Sequence, residues 1–382
     1  MAITVPPALS WANREKFALP SPLTGDAMTY SVIGSVIGRR ARRFSAALLA
    51  CLLAGSALAD TAPTRTVHYY GDRTVEVPAR VERIATSWNA QNSIIAMLGY
   101  GDRIVATTKI VRDTPLFRQF VPSIAQAALA SRNGDMGINS EVLVAMRAQV
   151  LFVPQSTPLP EADMLGKAGI RVVALRYNSL AAMVERTLIT GEILGPDALA
   201  RAHDFAAYYQ DNVRRVSDVI QRIPPEQRLK VYHAVGDPLT TSGRPSLNQD
   251  WLDLGGAINV AEPWFRQAGV STAPVSLEQI VQAEPDVIIT MRASDAAAIR
   301  QDPQWQTLKA VRQGRVYANP QGMFWWCRET SEQALQFLWL AKTLYPQQMQ
   351  HIDMEKETHD FYQRFYGFDL SAEQVDRILH PR

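Results

Sequence analysis

Cysteine is nearly absent. Cys51 and Cys327 are the only two in 382 residues. Cys51 falls inside an apolar leader, so Cys327 stands alone in the remaining chain and no intrachain disulfide can form. The roughly 320 residues after the leader are enough to bury two cores without cross-links. An excess of one charge is also missing, with 39 Lys/Arg against 37 Asp/Glu. Residues 1–59 hold six of the cations and two of the anions, which turns the net +2 of the whole chain into about −2 for 60–382. That balance carries no electrostatic footprint for nucleic acid. Beyond residue 59 no apolar run is long enough to cross a bilayer. The signatures G-x-S-x-G and H-E-x-x-H are missing, as is a phosphate-cradling glycine loop. No His/Asp/Glu/Cys cluster has metal-ligand spacing, which disfavours a site for a bare metal ion.

The leader itself is well marked. Arg39, Arg40, Arg42 and Arg43 precede an apolar stretch at 44–58, and Ala57-Leu58-Ala59 offers small residues for cleavage. This pattern predicts a Sec-type signal peptide cut near Ala59, with Met28 as the natural start and the residues before it as an over-extension. Leu48-Leu49-Ala50-Cys51 offers lipid anchoring at Cys51 as an alternative, although Leu52 and Leu53 carry the apolar run past the cysteine. The paired arginines also form a loose twin-arginine pattern.

After the leader, short β-like runs alternate with helical ones. Strand candidates at 66–70, 74–77, 81–86, 103–107, 150–153 and 171–175 are interleaved with helical patterns at 92–98, 139–147 and 161–168. The alternation implies βα units and mostly parallel sheets. The same grammar returns after residue 226, with strands at 230–234, 287–290 and 315–318 and a strong helix at 329–344. Between the halves lies the longest amphipathic segment, 197–223. Its apolar residues Leu199, Ala202, Ala206, Tyr209, Val213, Val216, Ile220 and Ile223 recur at helical spacing. Gly195-Pro196 starts it and Pro224-Pro225 stops it.

The halves repeat. NSEVLVAMRAQVLFV from Asn139 matches SLEQIVQAEPDVIIT from Ser276 at a constant offset, which pairs Glu141 with Glu278, Val144 with Val281 and Val150 with Val287. Gly169-Ile170-Arg171-Val172 recurs more loosely as Gln313-Gly314-Arg315-Val316. The expected architecture is α/β: two Rossmann-like lobes with mostly parallel sheets, joined by one long rigid helix, with a ligand cleft between them. The boundaries are a first lobe at 60–178, connecting helices at 179–225 and a second lobe at 226–382.

Several segments resemble the helical-backbone (class III) periplasmic binding proteins of ABC importers for ferric siderophores, haem and cobalamin. They are Glu82-Arg83-Ile84-Ala85-Thr86-Ser87-Trp88, Gly99-Tyr100-Gly101-Asp102-Arg103-Ile104-Val105, Leu254-Gly255-Gly256-Ala257-Ile258-Asn259-Val260, Glu284-Pro285-Asp286-Val287-Ile288 and the run from Trp339 to Pro346. The resemblance implies a periplasmic, monomeric receptor with no catalytic residues and no resident cofactor. It would capture an iron chelate, a ferric siderophore, and deliver it to a dimeric permease. Haem or cobalamin is the alternative ligand, and an exported enzyme is a further one. The resemblance also implies one permease-docking glutamate per lobe. Glu141 and Glu278 occupy those positions; on the residues alone both also read as ordinary solvated helix glutamates.

Ligands of open α/β sheets bind beyond the carboxyl ends of strands. That rule selects Trp88, Arg112, Arg244, Arg292 and the loop Gly322-Met323-Phe324-Trp325-Trp326-Cys327-Arg328. Aromatic faces beside guanidinium groups suit a large, delocalised, often anionic ligand, so Trp325, Trp326 and Arg328 join the candidates. Core packing is the competing role for the two tryptophans, and pairing with Glu329 or Glu332 for Arg328. Cys327 reads as a small buried hydrophobe, a soft metal ligand or a reactive thiol. His233 reads as a core residue or an axial haem ligand, for which Tyr177 is the other donor.

Overall fold

The structure is a computed structural model. It describes residues 63–131, 137–265 and 269–382. The leader, with its cleavage site and Cys51, lies outside the described residues.

The described chain opens on a hairpin of β1 (Thr64–Tyr69) and β2 (Arg73–Pro78), paired antiparallel. The first lobe follows as β3 (Ile84–Thr86), α1 (Asn89–Met97), β4 (Ile104–Thr107), α2 (Lys109–Asp113), α3 (Pro115–Phe120), β5 (Ala128–Leu129), α4 (Ser140–Ala145), β6 (Val150–Pro154), α5 (Ala162–Lys167) and β7 (Arg171–Leu175). Its sheet runs β5-β4-β3-β6-β7, and every pairing is parallel. Strand β6 is an unbroken apolar run buried along Val150–Val153, as expected for a parallel strand covered on both faces.

Two long helices come next, α6 (Leu180–Leu194) and α7 (Pro196–Ile220). The second lobe holds β8 (Lys230–Ala234), β9 (Thr240–Ser242), α8 (Leu247–Leu254), β10 (Ile258–Asn259), β11 (Thr272–Pro274), α9 (Leu277–Ala283), β12 (Val287–Thr290), α10 (Ala293–Gln301), α11 (Lys309–Arg312) and β13 (Val316–Ala318). The chain closes with α12 (Gln333–Leu344), α13 (Met354–Tyr366) and α14 (Ala372–Leu379). The second sheet runs β11-β9-β8-β12-β13, with β10 beside β8. Its β8, β10, β12 and β13 pairings are parallel, while β9 and β11 add an antiparallel edge that the sequence pattern did not reveal.

The long helix crosses both lobes. It ends at Ile220 rather than 223, because the approach to Pro224 closes the last residues as a turn. Near its start, Arg201 donates to the Met97 carbonyl of α1 at 2.9 Å and to the Phe365 carbonyl of α13 at 2.7 Å. Midway, Tyr209 donates to Gln333 Oε1 (2.5 Å) and Asn212 Nδ2 donates to the Ala334 carbonyl (3.0 Å). Near its end, Ile220 packs on Gly256, where an added Cβ would sit 2.9 Å from it. Of the expected apolar face, Leu199 and Val213 are only partly buried, and Ala198, Phe205 and Asn212 are buried instead. One apolar core runs from β1 and β3 through α7 to α12 and α14.

The repeat survives as matched geometry. Asn139 caps α4 and Ser276 caps α9, each side chain accepting the amide three residues on. Leu143 and Ile280 are both fully buried. Arg147 and Glu284 both leave their helices in the left-handed region, at φ +49° and +50°. In each sheet the strand that follows lies between the lobe's first strand and its last: β6 between β3 and β7, β12 between β8 and β13.

The helix expected from 329 begins at Gln333. Glu332 is turned inward, and its carboxylate accepts the Met323 amide (2.7 Å), the Phe324 amide (3.1 Å) and the Thr330 hydroxyl (2.8 Å), together with the Tyr362 hydroxyl. The segment before it binds across the lobes: the Ser331 amide donates to Ser93 Oγ of α1 at 3.1 Å, and Thr330 Oγ1 lies 3.0 Å from the same oxygen.

Candidate ligand cleft and lobe tips

A cleft of about 240 Å³ lies where the two lobes face each other. Tyr177 and Asn178, just past β7, form one wall. Asn248 of α8, Thr272 and the Cys327–Glu329 segment form the other. Two hydrogen bonds tie the walls at the base. Asn178, held at φ 66°, accepts the Leu247 amide on its Oδ1 (3.0 Å), and Asp250 Oδ2 accepts the Leu180 amide (3.1 Å). A wider depression of about 530 Å³ continues on the first-lobe side, past Tyr177 to Gln155, Ser156 and Arg176.

Arg186 of α6 sits behind this wall and is fully buried. Its Nη2 donates to the Glu329 carbonyl and lies 3.1 Å from Met183 Sδ. Nε and Nη1 have no hydrogen-bond partner among the described residues, and no carboxylate lies within ion-pair distance. The guanidinium stacks on the Trp88 ring, 4.1 Å from its centroid. Burial lowers its pKa to about 10, which still leaves it charged at neutral pH; the Glu329 charge, acting from beyond pairing distance, opposes that shift. Trp88, half-buried at the cap of α1, also meets the edge of Tyr177 at 6.1 Å.

Arg328 lines the cleft directly and forms no ion pair among the described residues. Its charge acts on the buried Cys327 and His233 behind it. Burial pushes the Cys327 thiol up to about 12, so it stays protonated. Burial takes His233 down to about 3 and keeps it neutral; its ring lies edge-on to Trp251 inside the second sheet, away from the cleft lining.

The other sequence candidates are placed apart from the cleft walls. Arg244 is bound to Asp253 (2.7 Å) and Glu262 (2.9 Å). Arg292 donates to the Gly236 carbonyl at 2.8 Å on the second-lobe rim. Arg112 lies on α2 beside Asp113. Trp326 is fully buried in the core, and Trp325 packs against that core with its edge toward Phe324. Of the sequence candidates the structure thus puts Arg328 in the cleft lining and Trp88 behind it, against Arg186 and Tyr177, and it adds Tyr177, Asn178 and Asn248 to the lining.

Glu141 and Glu278 stand at the second residue of α4 and α9, exposed and without an ion pair among the described residues. The backbone amide of Glu278 and the Ser276 hydroxyl hold the Glu278 carboxyl below the ordinary range. Among the described residues no group of three or more His, Cys, Asp or Glu could hold a metal ion.

Comparison with known proteins adds four findings. A family model described as periplasmic binding protein matches residues 84–322. The molybdate-binding protein MolA of Haemophilus influenzae is 26% identical over 355 residues, which cover 86% of this chain and 98% of that protein. Among solved structures, a periplasmic solute binding protein from Veillonella parvula superposes with TM-score 0.73 at 22% identity, covering 83% of this chain and 97% of its own. The periplasmic vitamin B12 binding protein of Vibrio cholerae shares the fold at TM-score 0.56 and 19% identity, covering 72% of this chain and all of its own.

Proposed function

Because the chain belongs to the periplasmic binding protein family, we propose that it is the capture component of an ABC importer and that it binds an anion between its lobes. The observation that carries this reading is Arg186, a fully buried guanidinium with two unpartnered nitrogens and no carboxylate in pairing distance among the described residues. A buried charge without a counterion is costly. An anion seated against Arg328 would lie across the Glu329 backbone from Arg186 and supply the missing charge.

A compact oxyanion is the first choice. The cleft of about 240 Å³ offers the Arg328 guanidinium with amide and hydroxyl groups from Asn178, Asn248, Ser271 and Thr272. The relative that matches over 98% of its own length is named for molybdate. An anionic iron chelate of the siderophore type is the second reading. It is favoured by the size of the adjoining depression, about 530 Å³, where Tyr177 provides an aromatic face; Arg176 there is already paired with Glu185. Haem would have to use Tyr177, since His233 is sealed inside the second sheet.

Delivery follows from the two lobe tips. Glu141 and Glu278 present one carboxylate each in matched local geometry, which suits a two-fold permease with one basic group per subunit. The chain would act outside the inner membrane, where such receptors meet their permeases.

The test is a titration of the protein lacking residues 1–59 with molybdate, ferric siderophores, haem and cobalamin, followed by tryptophan fluorescence and visible absorbance. The reading expects saturable binding of an anion. Binding of cobalamin or haem with no response to any anion would refute the anionic ligand, and silence toward all four classes would refute the receptor reading.

A further inference from the structure

Few large apolar side chains are exposed in this fold, and two of them occupy equivalent places in the repeat. Val144 is 42% exposed and Val281 is 36% exposed. Each lies three residues beyond a tip glutamate, Glu141 in α4 and Glu278 in α9, and residues three apart share a helix face. Each lobe tip therefore presents a carboxylate and an isopropyl group side by side. Their neighbours Leu143 and Ile280 are both fully buried, so the same face is turned outward in both lobes.

Resting on the docking role given above to Glu141 and Glu278, we propose that Val144 and Val281 are the apolar half of each permease contact. The fitting partner is a two-fold membrane protein that carries, on each subunit, a basic group beside an apolar socket. The occupant follows from the repetition. One partner that meets the same carboxylate–valine pair at both tips must offer two copies of one complementary surface, and a C2 dimer does so. Charge alone would not hold the complex, since exposed ion pairs contribute little to affinity. Rim charges steer encounter and register, whereas a desolvated apolar contact lengthens the bound lifetime.

The repeat also breaks in one informative place. Arg147 and Glu284 occupy matching left-handed positions, both exposed and both without an ion pair among the described residues, but with opposite charges. Past the end of its tip helix the second lobe thus carries another exposed carboxylate, where the first lobe carries a guanidinium. Against a basic permease surface the second tip carries the larger electrostatic share, and the valines carry a larger relative share at the first.

The experiment measures binding of the full chain after leader removal to nanodiscs holding its ABC permease, by surface plasmon resonance without ligand. Val144→Ser with Val281→Ser should weaken binding about tenfold or more, mainly through faster dissociation. The melting temperature should stay unchanged, because both side chains are exposed. Glu278→Ala should weaken binding more than Glu141→Ala, and adding Arg147→Glu should narrow that difference. If the double valine variant binds like wild type while Glu141→Ala with Glu278→Ala binds poorly, the valine proposal is wrong and glutamate docking stands. If the double glutamate variant also binds like wild type, or wild type does not bind, the docking reading fails and takes the proposal with it.

Discussion

The guanidinium carbon of Arg186 lies 4.1 Å from the ring centroid of Trp88. Arg186 comes from α6 and Trp88 from the cap of α1, and their contact lies behind the cleft, with Trp88 meeting Tyr177 of one wall and Arg186 bound to the Glu329 carbonyl of the other. Stacking on indole keeps a desolvated cation attracted to its surroundings without neutralising it. The charge is thereby stored beside the cleft, available to a ligand that brings the opposite sign.

Replacing Arg186 separates storage from stability. Exchange of a buried, uncompensated charge for an apolar side chain of similar volume is often neutral or stabilising. Arg186→Met should therefore leave the melting temperature unchanged or raise it by a few degrees, while anion affinity falls about tenfold or more. Calorimetric melts and ligand titrations on the same sample check both halves. A large fall in melting temperature would mean that Arg186 is mainly a structural strut.

Glu332 predicts a pH dependence of stability. Burial pushes its carboxyl up to about 7, against the opposing pull of hydrogen bonds from Tyr362, Thr330 and the Met323 and Phe324 amides. The folded protein then holds this proton more tightly than an unfolded glutamate, which releases it near 4.5. The group's penalty is absent below pH 4.5, grows as pH rises, and is complete above about 7, with a slope of up to about 1.4 kcal/mol per pH unit. Glu332→Gln removes that slope, although it places an amide against donors and should cost about 1–3 kcal/mol overall. Melts between pH 5 and about 8 should show the wild-type curve bending while the variant stays flatter. Parallel curves would contradict the assignment.

Two glycines test close approach. A Cβ at Gly322 would fall 1.9 Å from Tyr362 Oη and 2.0 Å from Glu332 Oε1. Gly322→Ala should destabilise by about 1–3 kcal/mol or more, since both obstacles are buried and hydrogen-bonded to each other. At Gly191 the added carbon would lie 2.7 Å from Ala202 Cβ and 3.0 Å from the Ala198 carbonyl, which would force α6 away from α7. Gly191→Ala should lower the urea midpoint without changing the ligand-bound fluorescence of the fraction that remains folded.

The docking role proposed for Glu141 and Glu278 predicts an effect on delivery alone. Glu141→Ala with Glu278→Ala should leave ligand titration and melting curves unchanged, because both side chains are exposed and neither forms an ion pair among the described residues. Uptake in cells carrying the double variant should fall well below that of either single variant. Normal uptake in the double variant would remove the docking role.

Much of this fold was legible from two patterns. The helical run ending before Pro224 located α7, and the repeat from Asn139 and Ser276 located α4–β6 and α9–β12. The antiparallel edge strands β9 and β11 were not legible, because Thr240–Ser242 and Thr272–Pro274 are three residues each and pair only through the tertiary fold. The start of α12 was missed because Glu332 spends its carboxylate on the Met323 and Phe324 amides instead of continuing a helix. The cleft was legible only in part. Searching loops after strands selected Arg328, which lines the cleft, and Trp88, which stands behind it, but passed over Arg186, which projects from a helix. A signal was present: within Leu180–Leu194 it is the one basic residue, set among Met183, Thr187 and Thr190, all buried. An arginine on the buried face of an apolar helix has to be compensated by something.

The measurement closest to the central claim is calorimetric titration with molybdate and with a ferric siderophore, using wild type and Arg328→Gln at low and high salt. Arg328 lines the cleft and has no partner among the described residues, so a bound anion should lose roughly ten- to hundredfold in affinity with its removal. The account predicts saturable wild-type binding of one of these anions and weakened binding by the variant. Equal affinity of wild type and Arg328→Gln for a ligand that binds, or no binding of either anion, would contradict it.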